Sequence, residues 1–365
     1  MTSPKMMTVN TSSRDYPIYF TTGFDFLTDA IKSLNKTYSR FMIITDDHVN
    51  PLYTKDVMNA LTSFEREIIV ASFIPGEHSK TLTTIETFYQ NMIEHNCDRS
   101  TLVIALGGGV TGDMAGFAAA TYMRGVDFIQ IPTSLLAQVD SSIGGKTGVD
   151  FNSYKNIVGA FYQPMLVYIN VNTLSTLPKR EFMSGMAEVI KHALISDIKY
   201  YDFLVDNAQK IKDLDKDLLI DMIYQSCGIK KSIVDQDERE SGVRALLNFG
   251  HTFGHSIERL KDFEYLHGEC VAIGMHGALE LSRLLNLISS DDVKKGLALI
   301  QAYDLPIYAS GIDPDSLYQE MFYDKKTTHN RIVFALLNKL GDSFLSTKTI
   351  DRQTIDQVMD TILSK

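Results

Sequence analysis

The segment Arg244-Ala-Leu-Leu-Asn248-Phe-Gly-His251-Thr-Phe-Gly-His255 holds the most chemistry in the chain. Its arginine, asparagine and two histidines are spaced by four, three and four residues, so on one helix they form a single polar stripe. Leu246, Leu247, Phe249, Phe253 and Ile257 point elsewhere, and a helix apolar on most sides is buried. A buried stripe of this composition must be satisfied, and a metal ion with an anionic ligand would do so. The plainer alternative is a surface helix whose wet face carries the stripe. Two other segments resemble it in style. Glu188 and Lys191 share a face among apolar neighbours, and His267-Gly-Glu269 precedes an apolar helical stretch from Cys270 to Leu287. Taken singly, the first is an ordinary helical ion pair and the second a helix start. Taken together, Glu188, His251 and His267 offer three N/O ligands and leave one position open, as catalytic zinc requires.

Anion chemistry is suggested in the first half. Gly107-Gly-Gly-Val-Thr-Gly-Asp113 follows an apolar run and opens a helical pattern. Glycines there let backbone N–H groups approach a pyrophosphate, and a helix N-terminus favours negative charge. A tight turn without a ligand explains the same residues, because the spacing is not G-x-G-x-x-G. Asp46 ends an earlier apolar run, where acidic residues hold ribose hydroxyls in dinucleotide folds. Gln138 to Asp150 reads as a polar, glycine-rich loop around Lys146, continuing to Lys155 and Asn156. Its Gly-Gly-Lys-Thr string lacks the spacing of a P-loop, which argues against nucleotide hydrolysis.

The elements that must position these groups fall into two textures. Up to about residue 175, short apolar runs (41–44, 68–70, 101–106, 128–131 and 166–169) alternate with helical patterns. That reads as a mostly parallel, Rossmann-like α/β sheet. From Leu177 onward helical periodicity dominates, over 181–194, 216–234 and 270–287, with almost no strand signal. The expectation is an α/β cofactor domain over 1–177 and an all-α metal- and substrate-binding domain over 178–365. The 365 residues suffice for two domains of ordinary size. A net charge of −10 argues against nucleic acid, and no apolar run approaches the ~18 residues of a membrane span. Three scattered cysteines and a polar start without a signal-peptide core point to the cytoplasm.

The ordered set of motifs resembles the 3-dehydroquinate synthase family. It comprises Gly107–Asp113, Pro132–Thr147, Gly185-Met-Ala-Glu188-Val-Ile-Lys191, Asp237-Glu-Arg-Glu240, Leu247–His255 and Leu266-His267-Gly-Glu269. The resemblance spans about Tyr38 to Gly341. It implies Zn2+, with Co2+ as a substitute, on Glu188, His251 and His267. It implies NAD held by Asp46, Glu77, Lys80, Gly108, Gly109, Asp113, Thr133, Ser134, Asp140, Lys146, Lys155 and the segment Thr173, Leu174, Ser175 and Thr176. The substrate carboxylate falls to Lys230, Arg244 and Asn248. The phosphate falls to Lys146, Asn156, Lys191, His255, Lys325 and Arg124, the last reaching across a homodimer interface. His48 stands where some members carry Asn. The implied reaction converts 3-deoxy-D-arabino-heptulosonate 7-phosphate to 3-dehydroquinate and phosphate, with NAD used catalytically. Related sugar-phosphate cyclases such as 2-deoxy-scyllo-inosose synthase, polyol dehydrogenases and a non-catalytic sensor stay open as alternatives. Lys230 and Arg244 favour the carboxylated substrate.

Overall fold

The computed structural model describes residues 4–152, 154–240, 242–262, 264–323 and 332–364. The chain divides into two compact units, one ending at Leu177 and the other beginning at Pro178. The N-terminal unit is built on a seven-stranded sheet. Its strands are β1 (Lys5–Val9), β2 (Tyr16–Thr21), β3 (Arg40–Asp46), β4 (Glu67–Phe73), β5 (Leu102–Gly107), β6 (Phe128–Pro132) and, after a separate hairpin of β7 (Lys146–Phe151) and β8 (Tyr154–Phe161), β9 (Val167–Asn170). The spatial order is β1-β2-β9-β6-β5-β3-β4, parallel throughout except for β1 against β2.

The central strands are apolar on both faces, as a sheet covered on two sides requires. Met42 and Ile44 of β3 join Val103 and Ala105 of β5 in one core. Phe41 and Ile43 join Leu102, Ile104 and Leu106 in the other. From β3 the chain moves outward to β4, then crosses back to β5, β6 and β9. The C-terminal ends of β3 and β5 therefore flank the reversal of strand order, where open α/β sheets take their ligands. Leaving β5, the chain enters α4 (Gly109–Thr121), a helix of Gly112, Ala115, Gly116, Ala118 and Ala119 buried almost all round.

The segment expected as a polar loop is more ordered than its composition suggests. Ala137–Ser141 forms a single π-helical turn, and β7 and β8 form an antiparallel hairpin. Its glycines serve close packing. A Cβ on Gly148 would lie 2.6 Å from the Val158 carbonyl oxygen, and one on Gly159 2.1 Å from that of Thr147.

The C-terminal unit is helical: α5 (Lys179–Ser196), α6 (Ile198–Asp206), α7 (Ala208–Lys212), α8 (Lys216–Val234), α9 (His251–Leu260), α10 (His267–Leu284), α11 (Ser290–Ala302), α12 (Pro314–Tyr323) and α13 (Arg352–Ile362). Two small sheets add to the all-α expectation. β10 (Ala309–Ser310) pairs with β13 (Leu363–Ser364), and β11 (Ala335–Lys339) forms a hairpin with β12 (Asp342–Leu345). Phe253, Ile257, Cys270, Ile273, Leu281 and Val358 belong to the core beneath α9, α10 and α13.

Candidate active site and metal centre

In the C-terminal unit, α5 is buried from Phe182 to Ile195, so Glu188, Lys191 and His192 lie inside the protein. Glu188 and Lys191 form an ion pair with side chains 0% and 2% exposed. This is not the solvated pair that their spacing alone suggested. His251 is the first residue of α9 and His267 the first of α10. The Nε2 atoms of both lie 3.5 Å from Oε1 of Glu188, and all three ligand atoms fall within 4.8 Å of one another. The His255 ring packs 4.9 Å from His251 and 5.9 Å from His267.

Helix contacts of unusual closeness create this convergence. Gly268 adjoins His267, and a Cβ there would sit 1.8 Å from the carbonyl oxygen of Ser184. The Ser184 hydroxyl accepts a hydrogen bond from the Gly268 N–H at 3.0 Å. Ser184 lies one turn before Glu188 on α5, so the contact that seats Gly268 also brings His267 beside Glu188. Arg180 reinforces it from the first turn of α5, donating to both oxygens of Glu269 at 2.7 Å. Between α9 and α10, Gly274 leaves room for the Gly250 carbonyl, which a Cβ would approach to 1.9 Å.

The single polar stripe from Arg244 to His255 is corrected at this point. Val243–Asn248 is a 3-10 helix, and Gly250, with φ of +81°, turns the chain before α9 begins. A left-handed residue cannot continue a helix, and here only glycine also fits against Met275 and Val271. His251 and His255 therefore share α9, while Arg244 and Asn248 sit on a different element. Arg244 is 2% exposed and Lys230, on the neighbouring α8, is 5% exposed. Asp237 holds the connecting loop, accepting from the backbone N–H of Gly242 at 2.7 Å and of Arg244 at 3.0 Å. Lys325 lies outside the described residues.

The fit of this cluster to a metal ion is tested by its unsatisfied atoms. Glu188 is fully buried, and beyond its ion pair with Lys191 neither carboxylate oxygen accepts a well-formed hydrogen bond among the described residues. Burial pushes Glu188 upward, but Lys191 and the two imidazoles hold it well below the carboxylate range. His251 is driven well below the ordinary imidazole value by burial and then by Lys191. It stays neutral, with Nδ1 3.3 Å from the Phe249 carbonyl oxygen and Nε2 facing Glu188. Burial works against charge on His267, yet the carboxylates of Glu188 and Glu258 push it up to about 10. One buried carboxylate and two imidazoles form a donor set suited to zinc or cobalt.

In the N-terminal unit the expected residues form two groups. The first lies at the C-terminal strand ends. Asp46 closes β3, and its Oδ1 accepts from the backbone N–H of His48 and Val49 at 2.9 and 3.0 Å. Gly108 precedes α4 with no side-chain cap on the helix N-terminus. The Thr133 N–H donates to the Gly107 carbonyl at 3.0 Å, which sets Thr133 and Ser134 beside the glycine turn. Gln138, which the sequence reading left without a role, is wholly buried and donates to Pro132 O, Asn170 O and Thr173 Oγ1 at 3.1–3.3 Å. It ties the end of β6 to the segment Thr173–Thr176. Leu174 is buried there, so only its backbone is suited to meeting a cofactor. Asp140 lies in the π-helical turn.

The second group surrounds Lys80, which is 4% exposed. Its ammonium donates to Asp113 at 2.7 Å and to the Asn156 side-chain oxygen at 2.5 Å, with Glu77 at 3.7 Å. Lys155 lies 3.9 Å from the same Glu77 oxygen. Burial lowers the basicity of Lys80, but Asp113 and Glu77 more than reverse this, so it remains charged. Lys146 is exposed at the start of β7. Arg124 is exposed on a turn in which Met123, Arg124 and Gly125 all have positive φ.

A parallel sheet with anion-ready strand ends, in one chain with a helical unit that gathers a metal donor set, defines a recognisable class. The crystal structure of 2-deoxy-scyllo-inosose synthase complexed with carbaglucose-6-phosphate, NAD+ and Co2+ matches this fold with a TM-score of 0.87. It is 25% identical and covers 98% of this chain and 100% of its own. A 2-epi-5-epi-valiolone synthase from Streptomyces hygroscopicus, with NAD+ and Zn2+ bound, shares the fold at a TM-score of 0.88 and 24% identity, over 97% and 98% of the two chains. Within that class, residues 70–184 match the family described as 3-dehydroquinate synthase N-terminal, and residues 185–327 the C-terminal family of the same enzyme. The 3-dehydroquinate synthase of Ruminiclostridium cellulolyticum is 46% identical over 352 residues, covering 96% of this chain and 98% of its own. The chain belongs to the 3-dehydroquinate synthase family.

Proposed function

We propose that this chain converts 3-deoxy-D-arabino-heptulosonate 7-phosphate to 3-dehydroquinate and phosphate, the early cyclising step of aromatic biosynthesis. The observation that carries the reading is the buried Glu188–His251–His267 cluster with its unsatisfied carboxylate, in a chain 46% identical to a 3-dehydroquinate synthase. Glu188, His251 and His267 hold the metal. The strand ends at Asp46, Gly108, Gly109, Thr133 and Ser134 hold NAD, with Glu77, Lys80, Asp113, Asp140, Lys155 and residues 173–176. When bound, NAD supplies transient oxidation and re-reduction of a substrate hydroxyl, and the metal polarises that hydroxyl.

The chain's own residues bind and orient. Lys230 and Arg244 are buried cations suited to a carboxylate, and Asn248, at the end of the same 3-10 helix as Arg244, is assigned to it with them. Lys191 lies deep inside the unit beside Glu188, where an ammonium favours a leaving phosphate strongly. His255 packs edge-on against the His251 imidazole and takes the same ligand. In Asn156 the side-chain oxygen is engaged by Lys80, so the amide NH2 is the group that meets an anion. Lys146, Arg124 and Lys325 are assigned to the phosphate by resemblance. Because these groups hold rather than exchange protons, positioning supplies much of the acceleration.

A homodimer is part of this reading. Among the described residues β8 pairs with β7 alone, and Phe151, Tyr154, Ile157 and Phe161 are 48–64% exposed along the hairpin. An open apolar edge of this kind invites pairing with a second copy. Three buried free cysteines fit a reducing cytoplasm, and no described helix is long and apolar enough to cross a membrane.

Phosphate release from the heptulosonate phosphate, with NAD far below substrate, tests the reading. Many phosphates per NAD, lost on chelation and restored by zinc, are expected. Metal-loaded, folded protein that releases none, or that accumulates NADH in proportion to turnover, would overturn it in favour of a different cyclase or a polyol dehydrogenase.

A further inference from the structure

Glu258 is a buried carboxylate to which the function above gives no task. It lies on α9, three residues after His255 and seven after His251, so all three share one helix face. It is 5% exposed. Its Oε2 lies 3.6 Å from Nδ1 of His267, while Nε2 of the same ring lies 3.5 Å from Glu188. The imidazole of His267 thus stands between two carboxylates, one on each nitrogen.

The other histidine of the cluster is held differently. Its Nδ1 faces a backbone carbonyl, Phe249 O, at 3.3 Å. A carbonyl fixes the ring and its tautomer, whereas a carboxylate also makes the opposite nitrogen more electron-rich. Helix α9 therefore carries His251 itself and also reaches across to the back of the ring on α10. A buried acid is costly to keep without a purpose, and a proton on His267 Nδ1 is the group that Glu258 faces. The 3.6 Å separation exceeds a hydrogen bond by a few tenths of an ångström, which a small side-chain rotation closes.

We infer that Glu258 is a positioning residue for the metal site: it accepts a hydrogen bond from the Nδ1–H of His267 and so commits Nε2 to the metal. The inference rests on His267 being a ligand, and the test separates the two. Zinc affinity is measured by competition with a chromophoric chelator for the full-length wild type, His267→Ala, Glu258→Gln and Glu258→Ala, with folding checked by circular dichroism. Cobalt absorption is recorded on each. Glu258→Ala is expected to weaken zinc by about 10- to 100-fold. Glu258→Gln, which keeps an acceptor without the charge, should recover part of that loss. Cobalt bands in both should keep the wild-type intensity with a small shift, and NAD affinity should be unchanged.

Wild-type zinc affinity in a folded Glu258→Ala, with His267→Ala impaired, overturns the inference and leaves the metal site intact. Cobalt bands in Glu258→Ala that match His267→Ala also overturn it, because Glu258 would then be a ligand itself. Wild-type affinity in His267→Ala removes the metal reading and this inference with it.

Discussion

The two units prepare for their ligands by opposite means. In the N-terminal unit the ligand-facing edge is made of backbone: parallel strand ends, a glycine turn and an uncapped helix N-terminus. The charged side chains nearby largely satisfy one another, as the Lys80 group shows. In the C-terminal unit the site is made of side chains brought together by three helices, and beyond its ion pair with Lys191 the buried Glu188 carboxylate accepts no well-formed hydrogen bond among the described residues. A backbone site tolerates the absence of its ligand. A buried side-chain site is incomplete until the ion arrives.

The sharpest way to break this contrast is Glu188→Gln. Zinc retention and turnover should fall by roughly three orders of magnitude or more if the carboxylate proposed as the charged ligand is lost. The apo-protein should also lose about 3 kcal/mol by urea denaturation, because Lys191 would be buried without its counter-charge. Unchanged apo stability would show that the pair is structurally idle.

Gly268→Ala probes the helix contact. The new methyl group meets the Ser184 carbonyl, so α10 must shift, at a cost of about 1–3 kcal/mol. His267 moves with it, and zinc affinity should drop even though no ligand is altered. Calorimetry and chelator competition read the two effects separately.

Lys80→Met tests the first unit in the same way. NAD affinity should fall about tenfold by fluorescence titration, in keeping with the loss of one buried charge-assisted contact. Zinc affinity should not change, and a parallel fall in zinc affinity would contradict the separation of the two strategies.

The smallest effect is expected far from both sites. Ser289 and Asp292 cap α11 reciprocally, and the Ser289 hydroxyl holds the Asp292 carboxyl below its ordinary value. A lowered carboxyl stabilises most when ionised, so Asp292→Asn should cost about 0.5 kcal/mol at neutral pH. The gap from wild type should close as pH falls through and below the ordinary carboxylate range. A gap that stays constant throughout that range would show that the charge contributes nothing.

What the sequence made legible follows the same contrast. The buried parallel strands were readable because Phe41–Ile44 and Leu102–Leu106 are apolar at every position. Helix α8 was readable to the residue from its periodicity. His251 and His267 were visible as residue types, but their meeting depends on Gly250, Gly268 and Gly274, whose value lies in contacts with distant backbone. Periodicity carries no trace of such contacts, so Arg244–His255 read as one helix. The β7–β8 hairpin was hidden for a related reason, since its glycines resemble those of a loop. Glu258 and Gln138 carried no local signal, and only their buried partners reveal them.

The seating of Gly268 against Ser184 also bears on the order in which the protein assembles. Glu188 is about sixty residues upstream of His251 in the chain, so bringing the donors together closes a long loop at an entropic cost that a single ion on a disordered chain would have to meet alone. Interlocking helices meet it first. The helix contacts at Gly268 and Gly274 are made without the ion, so refolding rates should be nearly the same with zinc present as with zinc withheld.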